Sequence, residues 1–205
     1  QPLKTFTEIS KSAYFGVDFD GDAKITIAPT VTTIGIGAFK QCVAKEVDLS
    51  NVQTLDSNCF ESAQLDTLTA ESVKTIGNAC FSGCINLASV RLPALEKATG
   101  SNHFNGNIAL TDATLGRNTT DMGSNMFSGC TALTSVELGS ISTIGSYAFE
   151  GCSSLTTVHL RDTSTVSAYA FAGCTALKSV FFDDVDTVGN YAFSGCTALE
   201  WVAFA

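Results

Sequence analysis

Short alternations of apolar and polar residues recur along this sequence between residues 24 and 204. In each of them, two apolar residues lie on either side of one residue that points the other way, a period typical of a half-buried β-strand. The apolar pairs are Ile25 and Ile27, Val47 and Leu49, Leu68 and Ala70, Val90 and Leu92, Ala113 and Leu115, Val136 and Leu138, Val158 and Leu160, Val180 and Phe182, and Val202 and Phe204. We expect nine short strands in one parallel sheet.

A second motif, Ala-Phe-x-Gly-Cys, recurs between these strands. Its Phe repeats every 21 to 23 residues, at Phe39, Phe60, Phe81, Phe104, Phe127, Phe149, Phe171 and Phe193. A period in the low twenties with a Leu-x-x-Val-x-Leu core is typical of leucine-rich repeats. The sequence therefore predicts a leucine-rich-repeat-like solenoid. Its parallel sheet forms the concave face, and short helical or 3₁₀ turns and extended segments form the opposite side.

Two glycine columns and the Phe column predict the geometry of the turns. We expect positive φ for the Gly that precedes Cys and for the Gly that follows Ile, because the chain turns sharply there and Gly adopts positive φ without steric penalty. The glycines after Ile or Val are Gly35, Gly77, Gly145 and Gly189, and those before Cys are Gly83, Gly129, Gly151, Gly173 and Gly195. The eight Phe rings are expected to stack into a spine.

The predicted solenoid occupies residues 23–205 and contains about eight repeats, while residues 1–22 are predicted to cap its N-terminal end. A hydrophobic fraction of 45% and a charged fraction of 15% suffice for a continuous core. The net charge of −9 argues against nucleic acid as a partner. No apolar stretch is long enough to span a bilayer and no signal peptide is visible, which a mature or trimmed chain would explain.

The eight cysteines follow the repeat pattern. Six share one position three residues after the Phe, and Cys59 and Cys80 replace the Ala before it. A residue that recurs once per turn points inward, so buried free thiols are favoured. Disulfides between neighbouring rungs, such as Cys59 with Cys80 or a pair in the later ladder, remain an alternative because rungs lie ~4.8 Å apart. We expect no metal ion and no cofactor, since a linear ladder does not present four convergent ligands.

The fourth repeat is irregular. Counting back and forward from Phe104 places Thr99 at the Ile position, His103 at the Ala position and Asn107 at the Cys position. These three polar residues could line a ligand pocket. A distorted turn in which Asn107 hydrogen-bonds backbone is the favoured interpretation, since buried polar groups usually find partners.

The consensus Ile-Gly-x-x-Ala-Phe-x-Gly-Cys-x-x-Leu-x-x-Val-x-Leu resembles the BspA-like class of leucine-rich repeats over residues 25–205, with Ala63 and Asn107 as departures at the Cys position. Proteins of that class are mostly secreted or surface-anchored, and several look like adhesins for host matrix proteins or other cells. The resemblance implies an extracellular or cell-surface location with the signal peptide removed, and a protein-binding or adhesive role. It brings no catalytic residue.

The outward strand positions contain mainly small hydroxyl and charged residues. Against that background His159, Phe181 and Trp201 fall on three adjacent rungs, with Glu137 and Arg91 on earlier ones. Exposed aromatic residues mark interaction sites, so these five are the candidate ligand-binding residues on the concave face. The ligand would be a host or neighbouring-cell protein or a glycan. Alternatively, Trp201 meets further repeats or a C-terminal cap.

The sequence has two His residues and no recognisable nucleophile elbow, metal-binding pair or phosphate loop, so we expect no catalytic activity. A structural spacer that presents another domain is the main alternative. An uncovered last strand also predicts self-association through the C-terminal edge.

Overall fold

The computed structural model describes residues 7–20 and 23–204. Each turn of the solenoid contributes one longer strand and one strand of two residues. The longer strands are β2 (Lys24–Thr26), β4 (Glu46–Asp48), β6 (Thr67–Thr69), β8 (Ser89–Leu92), β10 (Asp112–Leu115), β12 (Ser135–Glu137), β14 (Thr157–Leu160), β16 (Ser179–Phe182) and β18 (Trp201–Phe204). The two-residue strands are β1 (Glu8–Ile9), β3 (Thr33–Ile34), β5 (Thr54–Leu55), β7 (Thr75–Ile76), β9 (Lys97–Ala98), β11 (Asp121–Met122), β13 (Thr143–Ile144), β15 (Thr165–Val166) and β17 (Thr187–Val188).

Both sets of strands pair in parallel with their equivalents in neighbouring turns. The longer strands form three sheets, β2-β4-β6, β8-β10-β12 and β14-β16-β18. The two-residue strands form a second stack, β1-β3-β5-β7-β9 followed by β11-β13-β15-β17. The parallel solenoid is confirmed, but the expectation of one sheet was wrong. The Thr-Ile-Gly segments are short strands themselves, and each stack is interrupted.

The Ala-Phe segment forms a series of tight turns, and no helix is assigned within the described residues. Its N–H groups alternate between two kinds of acceptor. Ala38 N–H donates to the Gly35 carbonyl at 3.1 Å, inside the same turn, while Phe39 N–H donates to the Cys59 carbonyl of the next turn at 2.8 Å. Positive φ angles two residues before and two residues after each Phe prevent a continuous right-handed run. The expected helical or 3₁₀ turn is therefore absent from this part of the chain.

The phenylalanine spine is confirmed. Neighbouring rings from Phe39 to Phe193 stack with centroids 5.0 to 5.5 Å apart, and the rings from Phe39 to Phe171 are at most 1% exposed. Phe193 is partly exposed, and within the described residues one ring, Phe171, stacks parallel to it. At the other end Tyr14 stacks on Phe39 with centroids 5.0 Å apart. This contact places the segment before residue 20 over the first ring, whereas residues 1–6 and 21–22 of the predicted cap lie outside the described residues.

The two glycine columns serve different purposes. The Gly before Cys has positive φ as predicted, for example +74° at Gly129 and +73° at Gly173. The expectation of positive φ was wrong for the Gly that follows Ile or Val. There the reason is close approach between turns, since a Cβ on Gly35 would lie 2.7 Å from the Ile9 carbonyl oxygen and one on Gly189 would lie 2.6 Å from the Ala168 nitrogen.

All eight cysteines are free thiols, and all except Cys196 are buried. This confirms the predicted inward ladder. In the later turns each thiol donates to the carbonyl of a Phe in the preceding turn, as Cys130 does to Phe104 at 3.1 Å and Cys152 to Phe127 at 3.1 Å. Burial raises the pKa of Cys130 to about 12, so this thiol stays protonated at neutral pH.

Candidate binding surface

We call the outward-pointing side chains of the longer strands the strand face. Near its C-terminal end His159 on β14 lies opposite Phe181 on β16. Their rings stack with centroids 4.7 Å apart and planes inclined by 6°. Both side chains are exposed, Phe181 by 38%. The structure thus brings two of the candidate residues together as one aromatic platform.

Trp201 lies on the next strand but in the neighbouring column. The register places it opposite Ser179, while Ala203 lies opposite Phe181. Its side chain is 69% exposed. The three aromatic residues therefore form a stacked pair and one ring diagonal to it rather than a single row.

Glu137 lines a cleft beside the aromatic platform. The cleft has a volume of about 630 Å³ and is lined by Arg117, Glu137, Leu138, His159, Arg161 and Asp162 together with smaller groups. It lies where the sheets of longer strands are interrupted, because β12 pairs with β10 but not with β14. Val136 and Leu138, whose equivalents in the next turns are buried, are partly exposed at this interruption. His159 belongs to both the cleft and the platform.

Arg91 lies apart from the other candidate residues. It is exposed on β8 opposite Thr114 of β10, and Thr114 in turn lies opposite Glu137 of β12. An intervening strand therefore separates Arg91 from the cleft. The arginines that do line the cleft, Arg117 and Arg161, were missed because they follow the strands instead of occupying outward strand positions.

The charged groups of the cleft are not paired with each other. The ion pairs found within the described residues, Lys24 with Glu46, Lys40 with Glu61 and Lys74 with Glu96, all lie in the N-terminal half. Arg117, Arg161, Glu137 and Asp162 thus keep their hydrogen-bonding capacity for water or a ligand. Two guanidinium groups, two carboxylates and an imidazole give this surface both donors and acceptors.

The irregular fourth repeat is a distorted turn. Ala98, rather than Thr99, takes the Ile position by pairing with Ile76, because the additional residue Gly100 is accommodated with φ of +88°. Asn107 is buried and its Oδ1 accepts a hydrogen bond from the Cys84 N–H at 2.9 Å, as the favoured interpretation predicted. The predicted position of Thr99 was wrong, and its side chain is exposed.

His103 is enclosed by the same turn. Its side chain is fully buried, with Nδ1 3.0 Å from the Gly77 carbonyl oxygen. Burial lowers the pKa of His103 to about 4, so the imidazole is neutral at pH 7. Within the described residues, His103 Nε2 and Asn107 Nδ2 have no hydrogen-bond partner. A fully enclosed imidazole does not reach a ligand on the surface.

A tyrosine ladder on the turn segments escaped the sequence analysis. Tyr147, Tyr169 and Tyr191 stack with successive centroids 5.0 Å apart. Each has a φ of 58° or 59°, a region that bulky residues rarely adopt. The equivalent position in the earlier repeats carries Gly, Asn or Ala. The signal that could have identified the ladder is Tyr two residues before Phe in three successive repeats.

A model of the BspA-type leucine-rich repeat region, in six copies, matches residues 7–134 and 97–200. The chain belongs to the BspA-type leucine-rich repeat family. This confirms the resemblance that the Ala-Phe-x-Gly-Cys motif indicated. A search of curated proteins found no match to the sequence.

Two solved structures resemble this BspA-type chain. The leucine-rich repeat protein of T. pallidum superimposes with a TM-score of 0.62 and 22% identity over 73% of this chain and 71% of that chain. A leucine-rich repeat protein of Bacteroides ovatus superimposes with a TM-score of 0.61 and 19% identity over 96% of this chain and 70% of that chain. Identities this low show the fold alone.

Two further observations concern metal sites and membrane-spanning helices. In the part of the chain that the structure describes, no group of three or more His, Cys, Asp or Glu residues could hold a metal ion. Nor does that part contain a helix long and apolar enough to cross a membrane. The chain is a repeat protein of the BspA-type leucine-rich repeat family, and the family match indicates no catalytic domain.

Proposed function

We propose that this chain is an extracellular or cell-surface binding module that adheres to a protein or glycan and catalyses no reaction. Its binding site comprises the His159–Phe181 platform with Trp201 and the adjoining Glu137 of the strand face. Membership of the BspA-type family supports the surface location and the binding role. Arg91 is a peripheral contact in this proposal because a strand separates it from the cleft.

The exposed aromatic platform is the observation that carries this proposal. Most outward positions of the longer strands are Ser, Thr or charged residues, which keep a surface hydrated. Phe181 and Trp201 are 38% and 69% exposed, and exposed aromatic groups of this size favour a partner that covers them. Aromatic residues flanked by polar groups are typical of the residues that dominate binding energy at interfaces.

The test is binding of the purified chain to arrays of extracellular-matrix proteins and glycans. The chain is compared with the double variant Phe181→Ala/Trp201→Ala and with Ile85→Ala as a matched control. Ile85 is an apolar residue that is 49% exposed in a turn away from the strand face. We expect an affinity at least tenfold lower for the double variant, since each hot-spot residue contributes about 2 kcal/mol or more, and no change for Ile85→Ala.

Two outcomes would contradict this assignment. Equal losses in the double variant and in Ile85→Ala would indicate a general effect of surface truncation, and unchanged binding would move the site elsewhere on the solenoid. If the unmodified chain bound none of the array members, the spacer function would be favoured. Circular dichroism of each variant checks that the fold is intact.

Self-association through the last turn stays a prediction. Val188 and Val202 are 45% and 39% exposed there, and a second copy that stacked on this turn would cover them. Sedimentation velocity at increasing protein concentration measures this directly. A Val202→Lys variant should shift the distribution towards monomer, and an identical distribution for both proteins would rule out this edge.

A further inference from the structure

The cleft and the aromatic platform form one continuous recognition surface. His159 lines the cleft. On the side away from the cleft, its ring stacks on that of Phe181 with the two centroids 4.7 Å apart. A ligand in the cleft therefore meets guanidinium and carboxylate groups together with the His159 ring, which is backed by Phe181. The cleft lies at the sheet interruption between β12 and β14.

The distribution of positive charge distinguishes this cleft from the rest of the C-terminal half. After residue 98 the sequence contains three basic residues, Arg117, Arg161 and Lys178, and nine acidic ones. Two of those three line the cleft, and neither is in an ion pair with another described residue. Guanidinium groups bind carboxylates through two parallel hydrogen bonds, so the cleft is suited to an anionic group on a ligand.

The two carboxylates restrict the kind of anion that fits. Glu137 and Asp162 lie in the same cleft and would repel a densely charged polyanion such as a sulfated chain or a nucleic acid. They accept hydrogen bonds from hydroxyl groups. The cleft thus favours a ligand that combines a single carboxylate with several hydroxyls and an apolar ring face.

We propose that this cleft binds a carboxylated sugar, the terminal or internal sugar acid of a glycan. The sugar carboxylate lies between Arg117 and Arg161, its hydroxyl groups donate to Glu137 and Asp162, and its ring packs against His159, whose ring is backed by Phe181. This inference rests on the proposed binding function and names the chemical group that the same site recognises. An acidic protein segment is the competing source of a carboxylate.

The test measures binding of D-glucuronate to the full chain by NMR titration and isothermal calorimetry. D-Glucose, which lacks the carboxylate, and acetate, which lacks the ring and hydroxyls, are the comparison probes. Glucuronate is expected to bind at least tenfold more tightly than either. Arg117→Gln and Arg161→Gln should each weaken glucuronate binding about tenfold or more, since hydrogen bonds to charged groups are among the strongest.

Lys178→Gln is the matched control, because Lys178 is exposed in the same half of the chain, does not line the cleft and carries the same charge. It should leave the affinity for glucuronate unchanged. Equal binding of glucose or of acetate, an equal loss in Lys178→Gln, or no glucuronate binding at millimolar concentrations would each overturn the inference. Binding of a poly-glutamate peptide in preference to glucuronate would assign the cleft to acidic protein segments and overturn it as well.

The outcome separates this inference from the proposed function. If array partners are lost with Phe181→Ala/Trp201→Ala but retained with Arg117→Gln/Arg161→Gln, the surface binds through its aromatic residues and the sugar-acid inference fails alone. If glucuronate binds the cleft but no array member binds the chain, the adhesive function fails while the ligand class stands.

Discussion

Truncating one ring in the middle of the phenylalanine spine tests how the solenoid is stabilised. Phe127 is fully buried, between Phe104 and Phe149 at centroid distances of 5.3 and 5.5 Å. A buried Phe→Ala substitution costs about 3–5 kcal/mol. Because small domains are stable by only about 5–15 kcal/mol, Phe127→Ala should remove a large part of the free energy of unfolding.

The same substitution at the end of the spine provides the internal comparison. Phe193 is partly exposed and has one parallel neighbour, Phe171 at 5.2 Å, with Phe182 edge-on at 6.3 Å. Less apolar area returns to water when its ring is removed, so Phe193→Ala should cost about 1–2 kcal/mol. Fraying of one terminal turn also leaves the other turn-to-turn interfaces intact, since a solenoid is stabilised by nearest neighbours.

Urea unfolding followed by circular dichroism gives both values. We expect Phe127→Ala to lower the midpoint clearly more than Phe193→Ala, with a broader transition if the central defect uncouples the two halves. Equal losses at both positions, or a loss below about 1 kcal/mol at Phe127, would refute the conclusion that the stacked spine forms the energetic core.

Three further predictions concern single side chains. Burial lowers the pKa of His103 from 6.5 to about 4, so between these pH values the unfolded state binds a proton that the folded state does not. The free energy of unfolding should therefore fall by about 3 kcal/mol as the pH drops through this interval. Urea midpoints measured across the interval should show this decrease, and His103→Ala should abolish it. Cys196 is partly exposed whereas the other seven thiols are buried, so Ellman's reagent should label one thiol first. Cys196→Ala should remove that fast phase, and a surviving fast phase would contradict the prediction. Tyr169→Asn relieves the backbone strain of a left-handed φ but removes two ring contacts, with Tyr147 and Tyr191. Because these two effects oppose each other, the free energy of unfolding should change by less than about 2 kcal/mol in the same urea assay. A loss as large as that of Phe127→Ala would contradict this prediction.

The repeat pattern predicted the interior of the molecule well because inward positions recur in every turn. Phe127 and Cys130 could be placed from spacing alone, since a fixed period stacks equivalent residues. The sequence could not reveal the second stack of strands, because two residues are too few for an alternation to be recognised. The sequence also showed which positions need glycine, but it did not show the reason. At Gly35 the reason is the close approach of the Ile9 backbone in the neighbouring turn, and not a positive φ.

The candidate site was harder to predict because it depends on departures from the repeat. The pairing of His159 with Phe181 could be predicted, because the two residues occupy the same outward strand position in neighbouring repeats. The cleft lies at the interruption between β12 and β14, and it is lined by Arg117 and Arg161 in the turns after the strands. These features arise from turn geometry that varies between repeats, so counting positions from the Phe does not reveal them. The insertion at Gly100 displaced Thr99 for the same reason.

Hydroxyl-radical footprinting of the chain with its array partner tests the binding surface most directly, because it reports the exposure of individual side chains. We predict that the partner slows oxidation of Phe181 and Trp201 on the strand face. Tyr191, which is 65% exposed on the turn segments, should be oxidised at an unchanged rate. Protection of Tyr191 and its ladder, with Phe181 and Trp201 unaffected, would contradict the account and place the binding surface on the opposite side of the solenoid.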